Sequence, residues 1–239
     1  MPQTLIIPDI HEDMSKLRHI EEVFIPQADR VIMLGDFWDS FDMRSPTHLI
    51  TKWVKDHIHD DKYEFCWGNH DAQYGFRHPA FKCSGYRPQT DTLLSAEMTL
   101  AEWRKFKVYT KVGNFVVSHA GFHPKTIDLM ADDEVDAALD LAFTGAFHRM
   151  WNAGTEVGGR GIGGPTWLRW EGDYERFIPL EFPQIVGHTI GRAVRTKAHE
   201  NGTISYCLDT KLDYVMWTDG KDVEIVRVGN LPAKRKVEV

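Results

Sequence analysis

Five times along this chain an apolar, β-favouring run gives way at once to a short island of carboxylate, amide or imidazole residues. The islands are Asp9-Ile10-His11, Gly35-Asp36-Phe37-Trp38-Asp39, Gly68-Asn69-His70-Asp71, Ser118-His119-Ala120-Gly121 and Gly187-His188-Thr189. Strands that are apolar throughout are buried on both faces, so their polar residues collect at the strand ends. In an open sheet built from βαβ units those ends share one crevice. Oxygen and imidazole donors delivered repeatedly into one crevice suit a pair of hard divalent cations.

The spacing between the islands supports that architecture. Leu5 to Ile7, Val31 to Leu34 and Tyr63 to Trp67 read as short buried strands separated by helices, a β-α-β-α-β order with parallel strands. Leu17, Ile20, Val23 and Phe24 form one apolar helix face after Asp13 as N-cap. Leu49, Ile50, Trp53, Val54 and Ile58 form another, after Ser45 as N-cap and Pro46 at the first helical position. Residues 72–107 read as an insert over the crevice, turn-rich around Cys83 to Gln89 and then helical from about Leu93 to Phe106. Val108 to Lys111 pairs with Phe115 to Ser118 across Val112-Gly113-Asn114, and a helix is expected from Asp133 to Met150. Hairpins at Asn201-Gly202 and Asp219-Gly220 make 185–230 a strand-rich second sheet. At 239 residues, with no internal repeat, the chain is expected to form a single domain.

Bulk properties narrow the function classes. A net charge of −7 argues against sequence-independent nucleic-acid binding, which depends on neutralising phosphates with Lys and Arg. Cys66, Cys83 and Cys207 have no close spacing, so neither a disulfide framework nor a zinc knuckle is expected. No segment approaches the ~20 apolar residues that span a bilayer, and Met1 to Pro8 lacks the features of a signal peptide. A cytoplasmic protein with no membrane partner is the expectation. Lys234-Arg235-Lys236 reads as a solvated basic tail. Gly159 to Gly164 matches a G-x-G-x-x-G pattern, but no strand precedes it and Pro165 follows, which reads as a loop near the crevice rather than a dinucleotide fold.

Each island residue has a chemical role open to it. Asp9 and His11, two apart in an extended segment, point to one side and can reach one cation. Asp36 has two oxygens to share between two cations, whose mutual repulsion requires an anionic bridge. Asn69 offers a neutral amide oxygen. His119 and His188 complete the shell of the second cation, and His123 is left to an outer or surface place. His70, projecting elsewhere, is assigned as the proton donor to a leaving oxygen, with Asp39 as its hydrogen-bond acceptor and Asp71 as the rival.

In this order the islands resemble the calcineurin-like metallophosphoesterases, whose pattern runs D-x-H, G-D-x-x-D, G-N-H-[DE], a His before a small residue, and G-H-x. The resemblance covers Asp9 to His188. It implies an α/β fold, a four-layer α/β/β/α sandwich of two mixed sheets. It also implies a dinuclear centre, with manganese the leading expectation and iron or zinc the alternatives. The carried-over ligands are Asp9, His11 and Asp36 for one metal, and Asp36, Asn69, His119 and His188 for the other. His70 becomes the general acid supported by Asp39, and a metal-bridging hydroxide becomes the nucleophile. Within the family the chain is similar to the branch of serine/threonine phosphoprotein phosphatases and symmetrical diadenosine tetraphosphate hydrolases. Trp167-Leu168-Arg169 is similar to that branch's W-x-R element, which implies that Arg169 holds phosphate. The expected activity is that of a phosphomonoesterase of the serine/threonine phosphatase type, on a phosphorylated protein or nucleotide substrate, with hydrolysis of a dinucleoside polyphosphate or other nucleotide diester as the alternative and a non-catalytic scaffold as a third reading. One departure stands out. The branch continues G-D-x-x-D-R-G, whereas Ser40-Phe41-Asp42 follows Asp39 here, leaving Arg44, Arg149 or Arg160 to supply the missing cation.

Overall fold

The structure, a computed structural model, describes residues 3–40, 46–76, 78–154, 161–172 and 176–229. In chain order the elements are β1 (Thr4–Ile7), α1 (Met14–Val23), β2 (Arg30–Met33), α2 (Thr47–His57), β3 (Tyr63–Phe65), α3 (Asn69–Gly75), α4 (Pro88–Glu97) and α5 (Leu100–Trp103). There follow β4 (Tyr109–Val112), β5 (Phe115–Ser118), α6 (Asp132–Phe143), β6 (Gln184–Val186), β7 (Arg195–Ala198), β8 (Ile204–Cys207), β9 (Tyr214–Thr218) and β10 (Val223–Arg227). They build two mixed five-stranded sheets, ordered β10-β9-β1-β2-β3 and β4-β5-β6-β8-β7. β1, β2 and β3 are parallel, as are β5, β6 and β8.

Side-chain alternation explains the layering. Along β1, Ile6 faces the second sheet and packs with Val117 and Ile185, while Leu5 and Ile7 point outward to Leu17 and Ile20 of α1 and Ile50 and Val54 of α2. The outer face of the second sheet is closed differently. There Val186 and Cys207 meet Leu168, Trp170 and Phe177, which come from segments without helix.

Four expectations about elements change. α2 starts at Thr47 with Pro46 at the cap, and Ser45 lies outside the described residues. The helix expected over Leu93 to Phe106 is two helices, because Thr99 forms a capping box that starts a new one. Its hydroxyl accepts from Glu102 N at 3.2 Å, and the Glu102 carboxylate accepts from Thr99 N at 2.7 Å. The helix expected to run to Met150 stops at Phe143. Gly145 takes φ +81°, and the amides of Gly145 and Ala146 bond back to Ala142 and Leu141 in a Schellman closure. The C-terminal third is divided between the sheets: β6, β7 and β8 join β4 and β5, whereas the β9–β10 hairpin extends the first sheet beside β1. Among the described residues no helix is long and apolar enough to cross a membrane.

Behind the crevice lies an aromatic wall. Phe37, Trp38, Phe65, Trp67, Trp103 and Phe106 are all buried, Trp67 stacks on Trp103 with centroids 5.5 Å apart, and Trp38 meets Trp103 at 5.3 Å. Trp38 and Trp67 flank the islands carrying Asp36 and Asn69, so this wall fixes both loops from behind. Replacing Trp103 with Ala is expected to lower unfolding free energy by about 3–5 kcal/mol, read from denaturant titration. A loss below about 1 kcal/mol would show that the wall collapses to fill the gap.

Candidate metal centre

Backbone geometry at the strand ends sets the site. Leaving β2, Gly35 turns at φ +104°, and a Cβ there would lie 2.6 Å from Gly68 N, so only glycine lets the exits of β2 and β3 touch. The glycines before Asn69 and His188 make room for carboxylates. A Cβ on Gly68 would sit 2.1 Å from Asp36 Oδ1, and one on Gly187 would sit 2.0 Å from Asp9 Oδ1. His11, Asp36, Asp39 and His188 all have positive φ, at 45°, 51°, 67° and 65°. That left-handed backbone costs about 1–3 kcal/mol per non-glycine residue. The strain gathers where side chains are aimed into the crevice.

Asp36 is the hub. Its Oδ1 accepts from His70 N at 2.9 Å, leaving Oδ2 3.6 Å from His11 Nε2 and 3.4 Å from His119 Nε2. On one side Asp9, His11 and Asp36 bring ligand atoms within 4.8 Å of one another; on the other, Asp36, His119 and His188 do so. Asn69 Oδ1 lies 3.1 Å from both His119 Nε2 and His188 Nδ1, which are themselves 3.2 Å apart. The far ring nitrogens are tied off. His119 Nδ1 meets Leu34 O at 2.9 Å, and His11 Nδ1 meets Asp39 O at 3.1 Å, so in both rings Nε2 is left facing Asp36. Asn69 Nδ2 approaches Cys83 Sγ at 3.7 Å, which turns its carbonyl oxygen toward the imidazoles. Asn69 Oδ1, His119 Nε2 and His188 Nδ1 are thus crowded together close to a shared carboxylate. With Asp9, His11 and Asp36 they have the donor chemistry of a divalent-cation site of mixed imidazole, amide and carboxylate ligation.

Electrostatics agree with the geometry. Burial holds the His11, His119 and His188 imidazoles below their ordinary range, most strongly His188, which keeps them neutral donors. Burial would raise Asp36, but the surrounding imidazoles His119, His70, His11 and His188 outweigh it and hold the carboxyl well below the usual range. Burial, then the charges of Asp209 and Asp36, push Asp9 well above that range. A metal-free Asp9 therefore keeps a proton at mildly acid pH that an arriving cation must displace. Manganese affinity is expected to rise between pH 5 and 8, by up to about tenfold per pH unit for each proton displaced. Calorimetry at pH 6 in two buffers of different ionisation heat reads the released proton directly; equal apparent heats in the two would contradict it.

His70 stands apart from these candidate ligand groups. Its Nδ1 meets Asp39 Oδ2 at 2.9 Å, whereas Asp71 accepts the backbone amides of Asp36, Phe37 and Gly68 at 2.7, 2.8 and 3.0 Å. Asp71 thus clamps two island loops together and is not the partner of His70. Burial opposes charge on His70, yet the Asp36 carboxylate and hydrogen bonds to Asp39 and Cys83 prevail and raise it well above its ordinary value. Asp39 is held in turn by Gln73 Nε2 and by Tyr74 Oη at 2.6 Å. Neither was singled out in the sequence, although both lie three and four residues after His70 on one helix face. The 72–107 segment reaches the same place. A Cβ on Gly85 would lie 3.3 Å from His70 Cε1, and Arg87 N donates to Tyr74 Oη at 3.1 Å.

The arginines sort clearly. Arg169 is half-buried and close enough for its charge to act on His188, and Trp170 N donates to Thr189 Oγ1 at 3.0 Å, tying that segment to the fifth island. Arg149 pairs with Asp128 and Glu134 at the exposed surface and does not enter the crevice, while Arg44 and Arg160 lie outside the described residues, as does Lys234-Arg235-Lys236. Beside the segment after Asp39 sits Arg87, which donates to Ser40 O and approaches the buried Glu12 at 3.5 Å. His123 caps a short turn, accepting from Lys125 N at 3.1 Å. Trp151 and Trp170 are buried in the core, whereas Trp167 is half-buried with its ring 5.7 Å from that of His188.

A family model described as calcineurin-like phosphoesterase matches residues 2–190. No curated protein matches the chain. Among solved structures the chain is similar to the cold-active protein-tyrosine phosphatase of a psychrophilic Shewanella species, with 14% identity and a TM-score of 0.61 over 95% of this chain and 78% of that one. It is also similar to a candidate diadenosine tetraphosphatase, with 17% identity and a TM-score of 0.53 over 95% of this chain and 93% of that one. At such identities the likeness to solved structures shows the fold.

Proposed function

Because the chain belongs to the calcineurin-like phosphoesterases, we propose that it is a dinuclear-metal phosphoric ester hydrolase, most at home on phosphomonoesters such as phosphorylated proteins. The observation that carries this reading is the two ligand groups sharing Asp36. One group is Asp9, His11 and Asp36, and the other is Asp36, Asn69, His119 and His188. Manganese suits these ligands, as do iron and zinc. When bound, the cations supply an activated water and neutralise phosphoryl oxygens.

The chain's own residues do the rest. Asp36 holds both cation sites in register. Arg169 offers a planar fork matched to two phosphate oxygens, beside His188. His70, its Nδ1 engaged by Asp39, presents Nε2 as the proton donor to the leaving oxygen. The His70–Asp39 pair is capped by the segment around Cys83 to Arg87, which excludes water from one side of the dyad and narrows what leaving group fits.

A second reading, hydrolysis of a dinucleoside polyphosphate, is favoured by the half-buried Trp167 ring beside His188, a surface on which a nucleobase can stack. The deciding experiment is a panel of phosphopeptides, diadenosine tetraphosphate, cyclic nucleotides and bis-p-nitrophenyl phosphate, each assayed with manganese and after chelation. Manganese-dependent release of phosphate from phosphopeptides supports the first reading, and preference for diadenosine tetraphosphate supports the second. No hydrolysis of any of them by a metal-loaded chain would leave the scaffold reading standing.

A further inference from the structure

We propose that Asp209 is an outer carboxylate of the cation site formed by Asp9, His11 and Asp36, outside that ligand group itself, and that its charge tightens that end of the crevice around its cation. The inference rests on the dinuclear reading above. Asp209 follows β8, which runs parallel to β6 with Val186 opposite Cys207. Continuing that register sets Asp209 level with His188, so it leaves its strand at the same depth as a residue of the crevice.

Its backbone and one oxygen are committed locally: Gly191 N donates to Asp209 O at 2.8 Å, and Lys211 N donates to Oδ1 at 3.1 Å. The other oxygen, Oδ2, is buried and has no hydrogen-bond partner, in a residue that is only 1% exposed. The neighbouring Arg195 directs its guanidinium to Thr189 O and Cys207 Sγ, and although its charge and that of Lys211 favour the Asp209 carboxylate, burial still holds that carboxyl above its ordinary range. Of the charges acting on Asp9, that of Asp209 is the strongest, ahead of Asp36.

A buried carboxylate with an oxygen unused, whose charge acts on Asp9 and feels that of Asp36, is unfavourable unless positive charge nearby offsets it. A divalent cation at the Asp9 end provides that. Sequence reading overlooked the residue because Ile204 to Cys207 alternates rather than running apolar, and no glycine marks its end.

The test is manganese titration by calorimetry at pH 8 on the full chain, together with thermal unfolding with and without manganese, for the unaltered protein, Asp209→Asn and Asp209→Ser. Asn keeps the acceptor for Lys211 N while removing the charge. The expected result is two manganese sites in the unaltered chain and an affinity at one of them about 10–100-fold weaker in both variants. Metal-free Asp209→Asn should be at least as stable as the unaltered chain, because one repelling charge is gone, and should gain less in Tm from manganese. Unchanged affinity with a lowered metal-free Tm would overturn the proposal and leave Asp209 a structural residue. Failure of the unaltered chain to bind manganese, iron or zinc would instead overturn the dinuclear reading on which it stands.

Discussion

Asp36→Asn should lower phosphate-ester hydrolysis by roughly 10⁴-fold, equivalent to about 5–6 kcal/mol of transition-state stabilisation, and bring bound metal below two ions per chain. The size follows from what Asp36 offsets. Two divalent ions about 4 Å apart repel by about 16 kcal/mol at an effective dielectric of about 20. Among the residues of the crevice, Asp36 alone belongs to both ligand groups. Asparagine retains the shape and one oxygen but no charge, and its NH2 would face either His11 Nε2 or His119 Nε2, both of which are already lone-pair donors. Metal content by elemental analysis and turnover with added manganese are the two readouts. A variant that keeps two ions and stays within tenfold of the unaltered rate would mean that the ions are bridged by something other than this carboxylate.

Much of this site could be read from residue order because its members sit within one to four positions of strand ends, where an apolar run announces the exit. Asp9, Asp36, Asn69, His119 and His188 all obey that rule. The glycines beside three of them carry information of a second kind, since the spaces they leave at Gly68 and Gly187 hold the carboxylates of Asp36 and Asp9 from distant parts of the chain. What could not be read depends on contacts between segments far apart in sequence. Asp71 could be placed against His70 or against backbone amides equally well until the β2 and β3 exits were seen to touch at Gly35 and Gly68. The β9–β10 hairpin was legible as a hairpin from Asp219-Gly220, but which sheet it joins depends on Met216 pairing with Ile6, a register that no local pattern reports. Glu12 shows the same limit. A charged residue three after Asp9 reads as surface, yet it is fully buried and accepts from Ser40 N at 3.1 Å and Thr47 Oγ1 at 2.7 Å, fixing the chain just past Asp39.

That anchoring bears on His70, the proposed acid, and the leaving group is where its effect should show. His70→Ala should slow hydrolysis of alkyl phosphates such as phosphoserine peptides by about 10²–10⁴-fold, while p-nitrophenyl phosphate should lose less than about tenfold. An alkoxide departs poorly without a proton, whereas p-nitrophenolate is stable enough to leave unaided, so the two substrates separate proton donation from every other role of the residue. The geometry predicts which atom donates: Nδ1 is held by Asp39 at 2.9 Å, so the proton comes from Nε2. Asp36 and Asp39 raise the His70 pKa well above its ordinary value in the metal-free protein. Cations held by Asp36 would offset the larger of those charges and draw the imidazole back toward neutrality, where donation near pH 7 is most effective. Equal losses on both substrates would instead assign the His70 side chain to holding the loop of Asp39 in place, through its bond to Oδ2 at 2.9 Å. Steady-state rates on the two substrates, with metal content measured on the same samples, tell these apart. An intact dinuclear centre combined with a loss confined to the alkyl ester is an outcome that only an acid produces.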